Sequence, residues 1–249
     1  GVERKMDQST KTNFSIEDVE QQFSIASVFL VLLAVIAGAI GGMYLLRVLM
    51  PGYYQSVASA QPKVYWYLTR ASAFVAYFLL WLSMVLGVGV TNKLAAKWPG
   101  LAKTNDLHQY VSLLGLAFGL FHGLILVGDQ YMNLKVFQIF LPFSISVYRP
   151  FEVGIGQVAF YVWAIVLFSF YVRKRIGSKV WRAIHYLSYL TLLGALIHGL
   201  LSGTDSGILA ANLFYWITGA VLLFLTVYRI IAEVTAAAER KQKLSARVN

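Results

Sequence analysis

The sequence predicts an all-α membrane protein, a six-transmembrane-helix bundle with both termini cytoplasmic. Three observations carry this reading. First, 58% of the 249 residues are hydrophobic and only 13% are charged, where a soluble domain has about a quarter charged. Second, six stretches contain no Asp, Glu, Lys or Arg over about twenty residues, the length that spans hydrocarbon at about 1.5 Å rise per residue. Third, Lys and Arg concentrate on alternate connections between those stretches, as membrane topology requires.

The stretches are 21–46, 71–92, 109–128, 153–172, 183–204 and 206–228. In hydrocarbon each backbone N–H and C=O must be paired inside its own segment, so runs this long are helices. A porin-type barrel would show short alternating strands, which this sequence lacks. Residues 1–20 are polar, with no short apolar run before a small-residue cleavage site. They read as a cytoplasmic N-terminal segment and not as a secretory signal peptide. Met50-Pro51-Gly52 stops the first helix and Trp98-Pro99-Gly100 marks a turn before the third. Pro142 and Pro150 bracket a long loop after the third. Tyr65, Trp66, Tyr67, Trp98, Trp181 and Tyr228 fall at helix ends, where amphipathic rings favour the headgroup region. One transmembrane domain thus covers 21–231. A cytoplasmic tail, 232–249, carries Arg240, Lys241 and Lys243 and reads as a short helical extension.

Orientation follows from the basic residues. The second-to-third connection holds Lys93, Lys97 and Lys103; the fourth-to-fifth holds Arg173, Lys174, Arg175, Lys179 and Arg182; the tail adds Arg229, Arg240, Lys241, Lys243 and Arg247. The opposite side is poorer, with Arg47, Lys63, Arg70, Lys135 and Arg149. The positive-inside rule then places both termini in the cytoplasm, with a bacterial inner membrane the expected location. The net charge of +10 is spread over helix ends, so membrane lipid and not nucleic acid is the expected contact. No cysteine is present. That excludes disulfides, iron–sulfur clusters, thiolate zinc sites and thioether-anchored haem on this sequence.

The only histidines are His108, His122, His185 and His198. Two stand on the third helix, fourteen residues apart, and two on the fifth, thirteen apart. An ionisable side chain inside a membrane is costly and marks a functional site by default. Singly, each has a plainer reading as an interhelical hydrogen-bonding or interfacial group. Together they form a pattern. The third and fifth helices run parallel, so His108 levels with His185 near the inner face and His122 with His198 further out. Each level offers two imidazoles to one flat macrocycle, and the levels are about 20 Å apart. A zinc or copper transporter would gather its ligands at one level, often with carboxylates, and none lies in these spans. On the third helix Ser112, Gly115 and Gly119 lie on the histidine face, leaving room for a planar cofactor; packing between helices is the plainer use of such residues. On the fifth helix an ideal geometry leaves the histidines about 140° apart. A tightened 3₁₀ turn near Gly194, helix tilt or side-chain rotamers would reconcile them.

The stretches Thr69-Arg-Ala-Ser-Ala-Phe-Val-Ala-Tyr, Leu107-His-Gln-Tyr with Phe121-His-Gly, and Trp181-Arg-Ala-Ile-His-Tyr with Ile197-His-Gly-Leu-Leu-Ser-Gly-Thr-Asp-Ser resemble the ferric-reductase-like transmembrane domain. That family includes ferric reductases, NADPH oxidases and the haem subunit of the bacterial methionine sulfoxide reductase system. The resemblance covers roughly 65–206 and implies two b-type haems. His108 and His185 would hold the inner one, His122 and His198 the outer. Arg182, with Lys93, Lys97, Lys103 and Arg173, would neutralise inner propionates or face an acidic donor protein, and Arg70 and Arg149 would do the same for the outer haem. Topology signalling and lipid contact are the plainer roles of these cations. Asp129 and Asp205 would shape an acceptor or proton site, or simply serve as loop residues. Ferric reductases and NADPH oxidases continue into a flavin and nicotinamide domain, for which 229–249 is too short. The expectation is therefore a component that passes electrons from a cytoplasmic donor, a partner reductase with its flavin or a quinol, to an external acceptor. The alternatives are a cytochrome b anchor subunit exchanging electrons with quinone inside a larger respiratory or photosynthetic complex, a mainly structural membrane subunit, and a metal transporter.

Overall fold

The computed structural model describes residues 21–58, 63–92, 94–96 and 98–248. The expected N-terminal segment 1–20, Lys93 and Lys97 lie outside the described residues. Every described element is helical, with no strand among the described residues. Five helices are long and apolar enough to cross a membrane: Ile25–Leu49, Val64–Thr91, Leu101–Gly128, Pro150–Ser202 and Leu209–Thr235. The chain is an integral membrane protein of all-helical fold.

In chain order, α1 spans Ile25–Leu49 with a π-helical segment at Ala37–Gly41, and α2 is the short Pro51–Ala58. Helix α3 is Val64–Thr91; α4 is Leu101–Ile125, ending in a 3₁₀ turn at Leu126–Gly128. A five-residue helix α5, Val136–Phe140, interrupts the loop before α6, Pro150–Ser202; α7 runs Leu209–Val248. Ser24 caps α1 by accepting from the Ser27 amide, satisfying one of the donors that a helix start leaves free. Helices α3, α4, α6 and α7 extend past the charge-free stretches, because charged residues at a membrane boundary are solvated and do not break a helix.

Helix α6 replaces the expected loop between the fourth and fifth stretches. Its 53 residues are not straight: Gly177 has φ 80° and ψ 156°, outside helical geometry. Contacts define the bend. Tyr148 donates to the Ser202 carbonyl at 2.8 Å and Arg149 donates to the Leu201 carbonyl. His198 bonds the Glu152 carbonyl at 2.9 Å, and Gly194 lies against Ala159. Residues at the two ends meet because the arms 150–176 and 178–202 fold back antiparallel about Gly177. A straight helix of that length would hold those ends about 80 Å apart.

The core lies among α3, α4, the arms of α6, and α7. Tyr77, Leu80, Met84, Leu116, Trp163, Leu192, Tyr215 and Leu222 pack there as one buried cluster. Polar groups inside it are paired. The hydroxyls of Tyr77 and Thr218 lie 2.9 Å apart, and Trp81 Nε1 donates to the Thr218 carbonyl at 2.9 Å. Outer faces are apolar and exposed, as at Leu30 (66%) and Trp216 (67%), which in lipid carries no penalty. Gln22 bonds Gln109 at 3.2 Å and Asp106 at 3.0 Å, so the start of α1 sits level with the start of α4.

Candidate functional site

The four histidines come together as two pairs. His108 faces His185 with ring centroids 6.2 Å apart and planes at 68°; His122 faces His198 at 6.0 Å and 74°. Each pair joins α4 to the second arm of α6, which therefore run parallel. Among the described residues no three metal-ligating side chains converge at one point, so the donor set is two separate pairs.

Three of the rings are oriented by backbone carbonyls. His108 Nδ1 lies 2.8 Å from the Ser83 carbonyl, His122 Nδ1 2.9 Å from that of Thr69, and His198 Nδ1 2.9 Å from that of Glu152. A carbonyl only accepts, so Nδ1 carries the proton and a neutral ring keeps its lone pair on Nε2. This is how metal-binding imidazoles are commonly set by their surroundings. Thr69 and Ser83 are fourteen residues apart on α3, matching the spacing of His108 and His122 on the antiparallel α4. Ser83 also places its hydroxyl 3.1 Å from His108 Nδ1 and 2.6 Å from the Ser112 hydroxyl, while Ser112 donates to the His108 carbonyl at 2.6 Å. His185 is set differently: its ring stacks on Trp181 at 5.0 Å and 28°.

Each pair has its own cavity, about 220 Å³ around His122 and His198 and about 230 Å³ around His108 and His185. Leu80, Trp163 and Thr191 line both and form a dry layer between them, at 3%, 8% and 1% exposure. Gly115 lines neither cavity. A Cβ there would meet the Trp163 ring at 2.8 Å, so the room expected for a cofactor at this glycine is taken by Trp163. Gly119 does line the His122–His198 cavity, beside Phe160 and Trp163. The glycines that seat the rings are two that the histidine spacing did not indicate. A Cβ on Gly156 would lie 2.7 Å from the His198 ring, and one on Gly87 3.3 Å from His108.

No 3₁₀ turn forms near Gly194, since α6 stays α-helical through 178–202. His185 and His198 nevertheless face their partners. Among the cations, Arg70 lines the His122–His198 cavity but is paired with Asp205, Nε donating to Oδ2 at 2.6 Å and Nη2 to Oδ1. Its charge is already met there. Arg149 is engaged with the Leu201 carbonyl. Arg173 lies over the Phe170 ring at 3.9 Å. Lys103 is exposed. Arg182 is exposed and lines the rim of the His108–His185 cavity, as does Arg229. Asp129 accepts from the Met132 amide at 2.9 Å and closes a turn.

Two imidazoles on opposite sides of one metal ion have ring centroids about 6 Å apart, since a metal–nitrogen bond is about 2 Å and the centroid lies about 1 Å further. An edge-on ring contact falls in the same range. The centroid separations of 6.2 and 6.0 Å fall within both ranges. No protein-family model, curated protein or solved structure matches this chain significantly.

Proposed function

We propose that the chain is a di-haem b electron-transfer protein that crosses the membrane six times with both termini cytoplasmic. One observation carries this reading: two facing histidine pairs, each bordering its own largely apolar cavity, with Nδ1 engaged on a carbonyl in three of the four rings. The separation of the rings, the glycines under His108 and His198, and the lack of a third ligand at either level among the described residues all fit a flat macrocycle held between two imidazoles. They fit a single-level transition-metal site poorly. Two b-type haems, held by His108 with His185 and by His122 with His198, would supply reversible one-electron chemistry at iron.

The protein's own part is to hold, orient and exclude water. The carbonyls of Ser83, Thr69 and Glu152 fix the tautomer and raise the basicity of three imidazoles. Leu80, Trp163 and Thr191 keep the space between the two levels dry. The levels are fourteen residues apart on α4, about 20 Å of helix rise, which covers much of the hydrocarbon. No general acid or base is needed. A donor on the cytoplasmic side, a partner reductase or a quinol, and an acceptor on the outer side complete the path, with lipid around the bundle.

The test is a haem-to-protein ratio with reduced-minus-oxidised spectra on the purified full chain and on His122→Ala. About two haems per chain are expected to fall to about one, with loss of one spectral component. A colourless wild-type protein, or a spectrum unchanged by His122→Ala, overturns the reading.

A further inference from the structure

The connection between α4 and α6 sits deeper in the molecule than a surface loop does. Between Asp129 and Arg149 its only charged residue is Lys135. Ile139, on α5, packs against the buried cluster of Ala39, Leu120 and Leu124. A Cβ on Gly123 would lie 3.0 Å from its Cγ2. Gly123 stands five residues before the end of the α4 span at Gly128, about 7 Å of helix rise. On the other side Gln157 and Tyr161 hold the connection, seven and eleven residues past the start of α6 at Pro150. Those positions are about 10 and 16 Å along the helix.

The backbone of this connection is paired as backbone in hydrocarbon must be. Every carbonyl from Phe137 to Leu141 accepts a hydrogen bond. That of Phe137 accepts from the Leu141 amide at 3.0 Å, and those of Gln138 and Ile139 from Gln157 Nε2 at 2.7 and 3.0 Å. The Phe140 carbonyl accepts from the Tyr161 hydroxyl, and that of Leu141 from the Ser144 hydroxyl at 2.7 Å. Gln157 Oε1 in turn accepts from the Phe143 amide at 3.1 Å. A loop in water leaves such groups to solvent, whereas irregular backbone at membrane depth persists only where protein groups pair it. The outward side chains beside these paired groups are apolar and open, with Phe137 at 57%, Leu141 at 54% and Phe143 at 51% exposure.

We propose that 136–143 is a re-entrant element sunk into the leaflet on the Arg70–Asp205 side and clipped to α6 by Gln157. Its Phe137, Leu141 and Phe143 face takes lipid acyl chains, because open apolar side chains at that depth meet hydrocarbon and not water. Its Ile139 and Phe140 wall the His122–His198 cavity. The element is thus the partition between that cavity and the lipid, independently of what the cavity holds.

The chain has no cysteine, so Phe137→Cys can carry an environment-sensitive fluorophore in the full-length protein. The labelled protein is reconstituted in phosphatidylcholine vesicles that contain nitroxide lipid, with the nitroxide at the headgroup or midway down the acyl chain. The Phe137 probe is expected to emit to the blue and to lose more fluorescence to the acyl-chain nitroxide than to the headgroup one. Tyr131→Cys, 71% exposed ahead of the element, shows the reverse and serves as the reference. Adding Gln157→Met, which keeps the length of the side chain and removes its three hydrogen bonds, shifts the Phe137 probe toward the Tyr131 pattern. A Phe137 probe that matches Tyr131 in the otherwise unchanged protein overturns the proposal, since the element then lies in water. So does a probe quenched by neither lipid, which puts protein and not acyl chains over that face. An unshifted probe in the Gln157→Met protein overturns the role given to Gln157.

Discussion

A Cβ on Gly156 would sit 2.7 Å from the His198 ring, closer than carbon atoms pack, and His198 cannot simply turn aside. Its Nδ1 is tied to the carbonyl of Glu152, one turn before Gly156 on the same arm. On the di-haem reading proposed above, Gly156→Ala is therefore expected to lower bound haem from about two per chain to about one. Gly87→Ala, where the contact would be 3.3 Å, should keep both and perturb the spectrum of the His108–His185 site. Gly89→Ala, with nothing within 4 Å, serves as the control and should match wild type. Haem ratios and reduced-minus-oxidised spectra of the three proteins check this; a wild-type ratio in Gly156→Ala would mean that His198 is not held as described. At this scale the histidines were legible in the sequence, because an imidazole in hydrocarbon needs a reason and the 14/13 spacing supplied one. Gly87 and Gly156 were not. They stand on helices that pack against the histidines, and no periodicity along the histidine helix reports its neighbours. The carbonyls of Thr69 and Ser83 were hidden for a different reason: every residue has a carbonyl. Gly115 shows the converse error. It lies on the expected helix face, but a tryptophan from another helix fills the space beside it.

Helix α6 turns on one residue. With φ 80° and ψ 156°, Gly177 occupies backbone space that is essentially reserved for glycine. A Cβ there would meet no neighbouring atom within 4 Å, so any penalty for replacing it is conformational and not steric crowding. Gly177→Ala is expected to destabilise the protein by roughly 1–3 kcal/mol, read as a lower midpoint of thermal unfolding in detergent. A midpoint equal to wild type would show that the bend does not depend on glycine. The sequence indicated a basic connection around 173–182 and an antiparallel pair on either side of it. It did not indicate that helix would continue through nearly all of that connection. Counting residues free of charge measures the hydrocarbon span and stops where charges begin, whereas a helix continues into the headgroups as long as its carbonyls are paired. The same difference moves the starts of α3 and α4 to Val64 and Leu101, several residues before their charge-free stretches. It also makes 232–248 a continuation of α7.

At the scale of the whole molecule, the contacts sort the connections into two ends. Gln22 reaches Gln109, and Arg229 reaches Tyr186 and lines the His108–His185 cavity, so the start of α1 and the middle of α7 share one end. Arg70 with Asp205 and Tyr148 with Ser202 mark the other. On the proposed six-crossing reading, the two arms of α6 that fold back at Gly177 would each cross the bilayer and return the chain to the side where it began. On that reading the density of Lys and Arg would put that side in the cytoplasm. Because the sequence contains no cysteine, single cysteines can report this directly. Tyr131 is 71% and Trp98 84% exposed, and Lys179 and Gly207 are exposed as well. Tyr131→Cys and Gly207→Cys are expected to react with a membrane-impermeant maleimide added outside intact cells. Trp98→Cys and Lys179→Cys should react only after permeabilisation. If Gly207→Cys instead behaves like Trp98→Cys, α6 crosses once and the chain has five crossings. If all four positions react from the sides opposite to those expected, the count stands but the His108–His185 pair faces outward. The donor and acceptor would then exchange ends.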